Sequence, residues 1–191
     1  LAKANKIATI QISDADLAQR PDAYASGGPL QWPAQAPLTL CEALTLTAER
    51  FPERGLLFIG ANGQPESKLS YPDLLQSALN VAKQLEQRGF NPGDTVMLQI
   101  AEPALYFQIL WGCIWLGVTP ITISAATRYE MSDPVARKLI NVWQKQQHPP
   151  MVISRSLIAP VVNLAERESG KTLQHFAAEE LAVGAAQPYF A

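Results

Sequence analysis

The sequence predicts an α/β fold, with an open, largely parallel sheet and helices on both faces. Three observations carry that expectation. The run at 95–124 reads strand, helix, strand: TVMLQI, then AEPALYFQILWGCIWLG, then VTPITIS. Apolar or β-branched segments of strand length (LLFIG, TVMLQI, TPITIS, MVIS) alternate with helical patterns of crossover length. Turn signals such as Pro92-Gly93-Asp94 stand between them. Two strands joined through a helix of this length form a right-handed βαβ unit in a parallel sheet, and this unit is expected at the centre of the domain.

In chain order, residues 1–37 read as an extended lead-in arm and 38–191 as the α/β domain. Within the arm, KIATIQI has the pattern of a short strand and SDADLAQR of a capped helical turn. Pro21, Gly27, Gly28, Pro29, Pro33 and Pro37 then exclude long regular elements, with Leu30 and Trp32 as anchors. A helix starts at Thr39, an N-cap with Glu42 three residues on as in a capping box, and stops at Phe51-Pro52. LLFIG and the segment 67–71, joined through Asn62-Gly63, read as a β-hairpin. Ser70 and Asp73 open an amphipathic helix with Leu74, Leu75, Ala78, Val81, Ala82 and Leu85 inward; Gly89 closes it and Phe90 follows. The next helix, after Glu102-Pro103, is apolar on almost every side of its wheel, so it is expected to be the most buried helix. Asp133-Pro134 starts a helix running to about Gln147, with Val135, Leu139, Ile140 and Trp143 inward. His148-Pro149-Pro150 breaks it, MVIS is a strand, and the helix after it stops at Gly170. KTLQHF reads as a further strand, and the tail after Glu179 carries no strong signal.

Composition narrows the function. With 191 residues, 48% of them hydrophobic, the chain can build a sizeable core. The net charge is −2, from 15 basic and 17 acidic residues interspersed along the chain. No basic stripe suits a phosphate backbone, so nucleic acid is excluded as a partner. No charge occurs between Glu102 and Arg128, but Gly117 and Pro120 interrupt that run below the ~20 continuous apolar residues of a membrane helix, so no membrane span is expected. Cys41 and Cys113 fall within apolar helical patterns and read as buried free thiols of a reducing, cytoplasmic compartment. His148 and His175 lack ligand spacing, so no metal site is expected. No basic-then-apolar leader follows Leu1, and the chain reads as a piece of something longer.

The usual chemical signatures are absent: no G-x-G-x-x-G, no G-x-x-x-x-G-K-[ST], no G-x-S-x-G and no H-E-x-x-H. Position alone suggests a ligand edge. Ser124, Arg128 and Tyr129 follow the strand VTPITIS at its carboxyl end, where α/β sheets bind ligands. They are the candidate substrate-binding residues, and no residue has the setting of a catalytic group.

Three segments carry a family resemblance. LSYPDLL (69–75) resembles the first core motif of the acyl-adenylate-forming, AMP-binding enzymes, L-[ST]-Y-x-E-L. LWGCIWLGVTPITIS (110–124) resembles their second, a buried helix running through glycine into a strand. Between them GFNPGDTVMLQI resembles the family's G-x-x-x-G-D-x-V strand. GGPLQWPAQAPLTLCEAL, GLLFIG and KLINVWQ followed by MVISRSLIAP look like one branch, the fatty acyl-AMP ligases and related loading domains of polyketide and nonribosomal peptide synthetases. The likeness runs from about Tyr24 onward. Asp73 stands where Glu is commoner, and VTPITIS replaces GG-x-P-V-P-I-S. The phosphate loop T-S-G-S-T-G-x-P-K-G is absent and, by resemblance, would follow shortly after this stretch.

The resemblance implies the first, N-terminal lobe of an enzyme that activates a carboxylic acid with ATP and Mg²⁺ to acyl-AMP. That enzyme would hand the acyl group to the phosphopantetheine thiol of an acyl carrier protein. The implied partners are a second lobe, a C-terminal domain and the carrier protein, with neither ATP nor Mg²⁺ bound to this lobe alone. An exposed apolar face, through which the chain forms a homodimer, is a further expectation. Two readings compete: an acyl- or aryl-CoA synthetase lobe, and a free-standing α/β interaction module with a polar surface. A small nucleotide-binding enzyme would need the glycine-rich loop that is missing.

Overall fold

The computed structural model describes residues 27–29, 31, 33, 36–182 and 187–188. The chain divides into two units, Leu1–Ala36 and Pro37–Ala191, and every element below belongs to the second. KIATIQI, SDADLAQR, Leu30 and Trp32 lie outside the described residues.

Four strands make the main sheet: β3 (Thr95–Gln99), β4 (Thr119–Thr122), β5 (Met151–Ile153) and β6 (His175–Ala177). They lie in the order β4-β3-β5-β6, all parallel, with Met97 opposite Ile121 on one side and Met151 on the other. Side chains alternate across the sheet with the period of two that a strand dictates. Val96, Leu98 and Val152 face one way. They meet Val81 and Leu85 of helix α2 (Tyr71–Gln87), Ile109 and Cys113 of α3 (Pro103–Leu116), and the short α6 (Ala178–Leu181). Met97, Met151 and Ile153 face the other way, onto Leu139, Ile140 and Trp143 of α4 (Pro134–Lys145) and Val161, Leu164 and Ala165 of α5 (Ile158–Ser169). Helices therefore cover both faces, as the alternating pattern predicts.

A second, antiparallel sheet pairs β1 (Gly55–Ile59) with β2 (Pro65–Ser70), and β2 with the two-residue β7 (Gln187–Pro188). Here the structure corrects the expectation that LLFIG joins the parallel sheet. Its connection to the next strand is the short turn through Asn62 and Gly63, where Gly60 N donates to Gln64 O at 2.8 Å. A parallel neighbour needs a crossover of a dozen or more residues, so the short connection forces an antiparallel pair. Leu56 and Phe58 on its inner side meet Leu44 of α1 (Leu40–Arg50) together with Leu69 and Leu74.

Helix starts follow their capping residues. Thr39 Oγ1 accepts from Glu42 N at 3.1 Å, but Glu42 Oε2 reaches back to Leu38 N rather than to the Thr39 amide, so the box is shifted by one residue. Ser70 Oγ accepts from Asp73 N at 3.2 Å and donates to Asp73 Oδ2 at 2.6 Å. After α2, Phe90 is buried beneath the helix end, with its N–H bonded to Leu85 O at 3.2 Å.

One further expectation is corrected. The strand at 118–124 is not central: β4 lies at the sheet edge, and β3 has a parallel partner on each side. The chain leaves β4 through α4 and lands beyond β3, a choice of side that residue pattern does not encode. The all-apolar α3 is covered along nearly its whole length: Gln108, Ile109, Gly112 and Cys113 are buried and Pro103 is its one exposed residue, whereas α2 exposes Asp73, Gln76, Leu79, Lys83, Glu86 and Gln87. Within α3, Leu110, Trp111, Ile114 and Trp115 stay half-buried. At Gly112 the helices α2 and α3 approach closely: a Cβ there would fall on Val81 Cβ and Cγ1. Gly117 ends α3 in the left-handed region at φ 79°, which costs glycine nothing.

Candidate functional site

The carboxyl ends of β3, β4 and β5 share one edge. From β3 the chain goes through α3 to one side, and from β4 it returns past β3 to β5. The loops after β3 and β5 therefore part to opposite faces, a switch point of the kind at which open α/β sheets hold ligands. In this chain the crevice is stitched across. Ser154, fully buried, donates its N–H to Gln99 O at 2.9 Å. Its Oγ accepts from Ala101 N at 3.0 Å and donates to Glu102 Oε2 at 2.6 Å.

A second set of bonds lies one strand over. Gln99, also fully buried, donates from Nε2 to Ile123 O at 2.6 Å and to Ser124 O at 3.3 Å. Its Oε1 accepts from the Tyr129 hydroxyl at 3.0 Å. Burial pushes the Tyr129 phenol above its usual range, so it keeps its proton at neutral pH. Gln99 thus brings Ser124 and Tyr129 together. Arg128 is exposed and its backbone N–H is turned to Asp133 Oδ2 at 3.3 Å, so it does not join them. Sequence reasoning missed Gln99, Ser154 and Glu102. For Gln99 and Ser154 the one signal was a polar residue closing an otherwise apolar strand, in TVMLQ and MVIS.

Asp133 fixes where this loop becomes α4. Its Oδ1 accepts from Val135 N at 2.8 Å and Ala136 N at 3.1 Å. The Ala136 amide foremost, then Val135 and Arg128, hold its carboxyl below the usual carboxylate range. A depressed folded pKa contributes stability above the unfolded value of about 3.9, lost as pH falls through the lower folded value. The Asp133→Ala variant should therefore melt below the parent at neutral pH and converge with it in strong acid, as thermal melts across pH will check.

Elsewhere the chemistry is sparse. An open cavity of about 490 Å³ lies at the opposite, amino edge of the sheet, between Arg88, Phe90, Asp94, His148, Pro149 and Gln174. Gln147 and His148 beside it have φ of 63° and 65°. That conformation closes α4, for His148 N donates to Trp143 O at 2.8 Å. Cys113 is buried and its thiol is pushed up to about 12, so it is inert. Among the described residues no three His, Cys, Asp or Glu side chains could hold a metal ion, and no helix is long and apolar enough to cross a membrane. ATP with Mg²⁺ finds neither a phosphate loop nor a carboxylate cluster here, so these residues by themselves do not fit the pair.

Known proteins extend this picture. No protein-family model matches the chain. Pyochelin synthase PchD of Pseudomonas aeruginosa is 29% identical over 126 residues, covering 63% of this chain and 22% of that protein. The adenylation, ketoreductase and pseudo-Asub multidomain structure of a keto acid-selecting NRPS module is 26% identical, with a TM-score of 0.71, covering 98% of this chain and 16% of that one. The fatty acid AMP ligase of Legionella pneumophila shares the fold, at 21% identity and a TM-score of 0.61, over 74% of this chain and 23% of its own. The chain spans less than a quarter of the length of each. Motif order, sheet topology and these likenesses agree: the chain has the fold of part of an adenylation domain and is similar in sequence to the synthetases that carry one.

Proposed function

We propose that this chain is the first lobe of an enzyme that activates a carboxylic acid with ATP and Mg²⁺, releasing pyrophosphate, and passes the acyl group to the phosphopantetheine thiol of an acyl carrier protein. The observation that carries this reading is the likeness to an NRPS adenylation structure over 98% of the chain. ATP, Mg²⁺, the second lobe and the mobile C-terminal domain belong to the rest of that enzyme, working in the cytoplasm in a polyketide or nonribosomal peptide assembly. The lobe's own part is structural: one wall of the acyl pocket, with Ser124, Arg128 and Tyr129 at its rim. Fatty acids are the substrates of this reading, and the alternative, an acyl- or aryl-CoA synthetase, differs in its acceptor. A free-standing interaction module fits less well, because Leu38, Leu40, Phe51, Leu57, Ile59 and Leu79 are exposed on a chain that module would keep polar. Those side chains would also support self-association. They lie on α1, β1, α2 and the flanking turns rather than at 124–129.

Pyrophosphate exchange with a panel of carboxylic acids tests the reading. The chain by itself should exchange no pyrophosphate, because no glycine-rich phosphate loop occurs in it. The full-length protein should exchange with at least one acid, and acyl transfer to a carrier protein or to CoA then decides the acceptor. Robust exchange by this chain alone would sink the proposal.

A further inference from the structure

We infer that Gln99 is a positioning residue, whose carboxamide locks the exit of β4 and the Tyr129 phenol into one arrangement and leaves the Tyr129 oxygen facing the carboxyl edge as a hydrogen-bond acceptor. The inference rests on the proposed role of that edge as a pocket rim. The chemistry of these three partners leaves one solution. Ile123 O and Ser124 O are carbonyls that only accept, so the nitrogen of the carboxamide must face them. Flipping the amide would set its oxygen against two others. Oε1 is thereby placed at the Tyr129 hydroxyl, and because an amide oxygen cannot donate, the phenol must. With its proton committed inward, the phenol offers outward only lone pairs. Such a rim suits the hydroxyl, ammonium or amide N–H of an acid substrate, not its carboxylate.

Packing alone does not account for a glutamine here. The other buried positions of β3 are Val96, Met97 and Leu98, and an apolar side chain at 99 would continue them without a buried polar group to satisfy. The carboxamide instead ties two segments that no backbone bond joins: the β4 exit at Ser124 and the turn at Tyr129.

The experiment is amide exchange by NMR on this chain, read at Ile123, whose N–H donates to Leu98 O, and at Arg128, whose N–H donates to Asp133. Gln99→Met should speed exchange at both about tenfold, the factor that accompanies one lost buried hydrogen bond. The β5 amides should keep the parent rates. The slowly exchanging Tyr129 hydroxyl proton expected in the parent should vanish in that variant. Gln99→Glu adds a reading that a merely structural role would not give. As a carboxylic acid it can donate to Ile123 O, and as a carboxylate it cannot. The charged and titratable groups nearby are Tyr129, Asp133, Glu102 and Arg128, and Arg128 is exposed with its charge acting on Asp133. Its folded pKa is then raised, so protection at Ile123 should match the parent below about pH 4 and be lost as pH rises through that raised value. Should Gln99→Met not fold, Tyr129→Phe decides: faster exchange at Arg128 supports the lock, and parent-like exchange overturns it. Parent-like rates in Gln99→Met, or a protection at Ile123 relative to the parent that does not change with pH in Gln99→Glu, overturn it equally. None of these readings involves ATP, so the lock can fail while the full-length protein exchanges pyrophosphate, and can hold when it does not.

Discussion

Replacing Trp143 by alanine should destabilise the chain by about 3–5 kcal/mol, the largest single-residue loss expected here. The indole is 1% exposed and sits among Leu139, Ile140, Met151 and Leu164 between α4 and the sheet. Its Nε1 donates to Pro149 O at 2.9 Å, and the His148 ring packs edge-on at 4.6 Å. Truncation therefore leaves a cavity and an orphaned carbonyl together, at the point where α4 hands the chain to β5. Trp143→Phe separates the two effects. It keeps most of the apolar contact and loses only the hydrogen bond, so it should lose about 1–3 kcal/mol, the cost of the orphaned acceptor included. Urea unfolding of both variants measures the difference, provided the slope with denaturant is unchanged. A loss under 1 kcal/mol for the alanine variant would show that this side of the core is not packed as described.

Gly112→Val should come second, near the upper end of the roughly 1–3 kcal/mol that overpacking costs. Even a Cβ at position 112 would fall on Val81 Cβ and Cγ1, and would lie 3.3 Å from Ala78 O. Valine is stiff at χ1 within a helix, so Val81 cannot swing aside and the two helices must separate. Gly112→Ala should be milder, because about 1 kcal/mol of helix propensity is regained against the clash. Combining Gly112→Ala with Val81→Ala should cost less than the sum of the two single losses, since each relieves the other. Strict additivity in that cycle would refute the close approach of α2 and α3.

Much of the fold was legible because local chemistry dictates it. Thr39, Ser70 and Asp133 begin helices by accepting backbone protons, and such residues announce themselves in sequence. The unit formed by β3, α3 and β4 was equally plain, since a strand, a crossover-length helix and a strand admit one handed arrangement. What an apolar segment does not encode is its partner. LLFIG has the composition of a core strand, and only the short turn after it sends it to a separate sheet. The edge place of β4 and the half-buried side of α3 follow from where later segments land. The candidate site was legible to a similar degree. Ser124 and Tyr129 were named from their place at a strand end and share Gln99 as a hydrogen-bond partner. Arg128 was named by the same rule and is exposed, with its backbone N–H bonded to Asp133. Gln99 and Ser154 were hidden because a lone polar residue ending an apolar strand is common, and its bonds depend on loops distant in sequence.

The order β4-β3-β5-β6 has a consequence for the chain as it is made. β3 and β4 meet across a local connection, but the other side of β3 waits for Met151–Ile153. At about 5–20 residues per second of synthesis, that wait lasts several seconds. Throughout it the nascent chain carries a bare strand edge flanked by Val96, Met97 and Leu98, the kind of template on which another chain can pair. Arrival of β5 closes it, so the span between Gln99 and Met151 sets how long a half-made molecule stays open to its neighbours on the polysome.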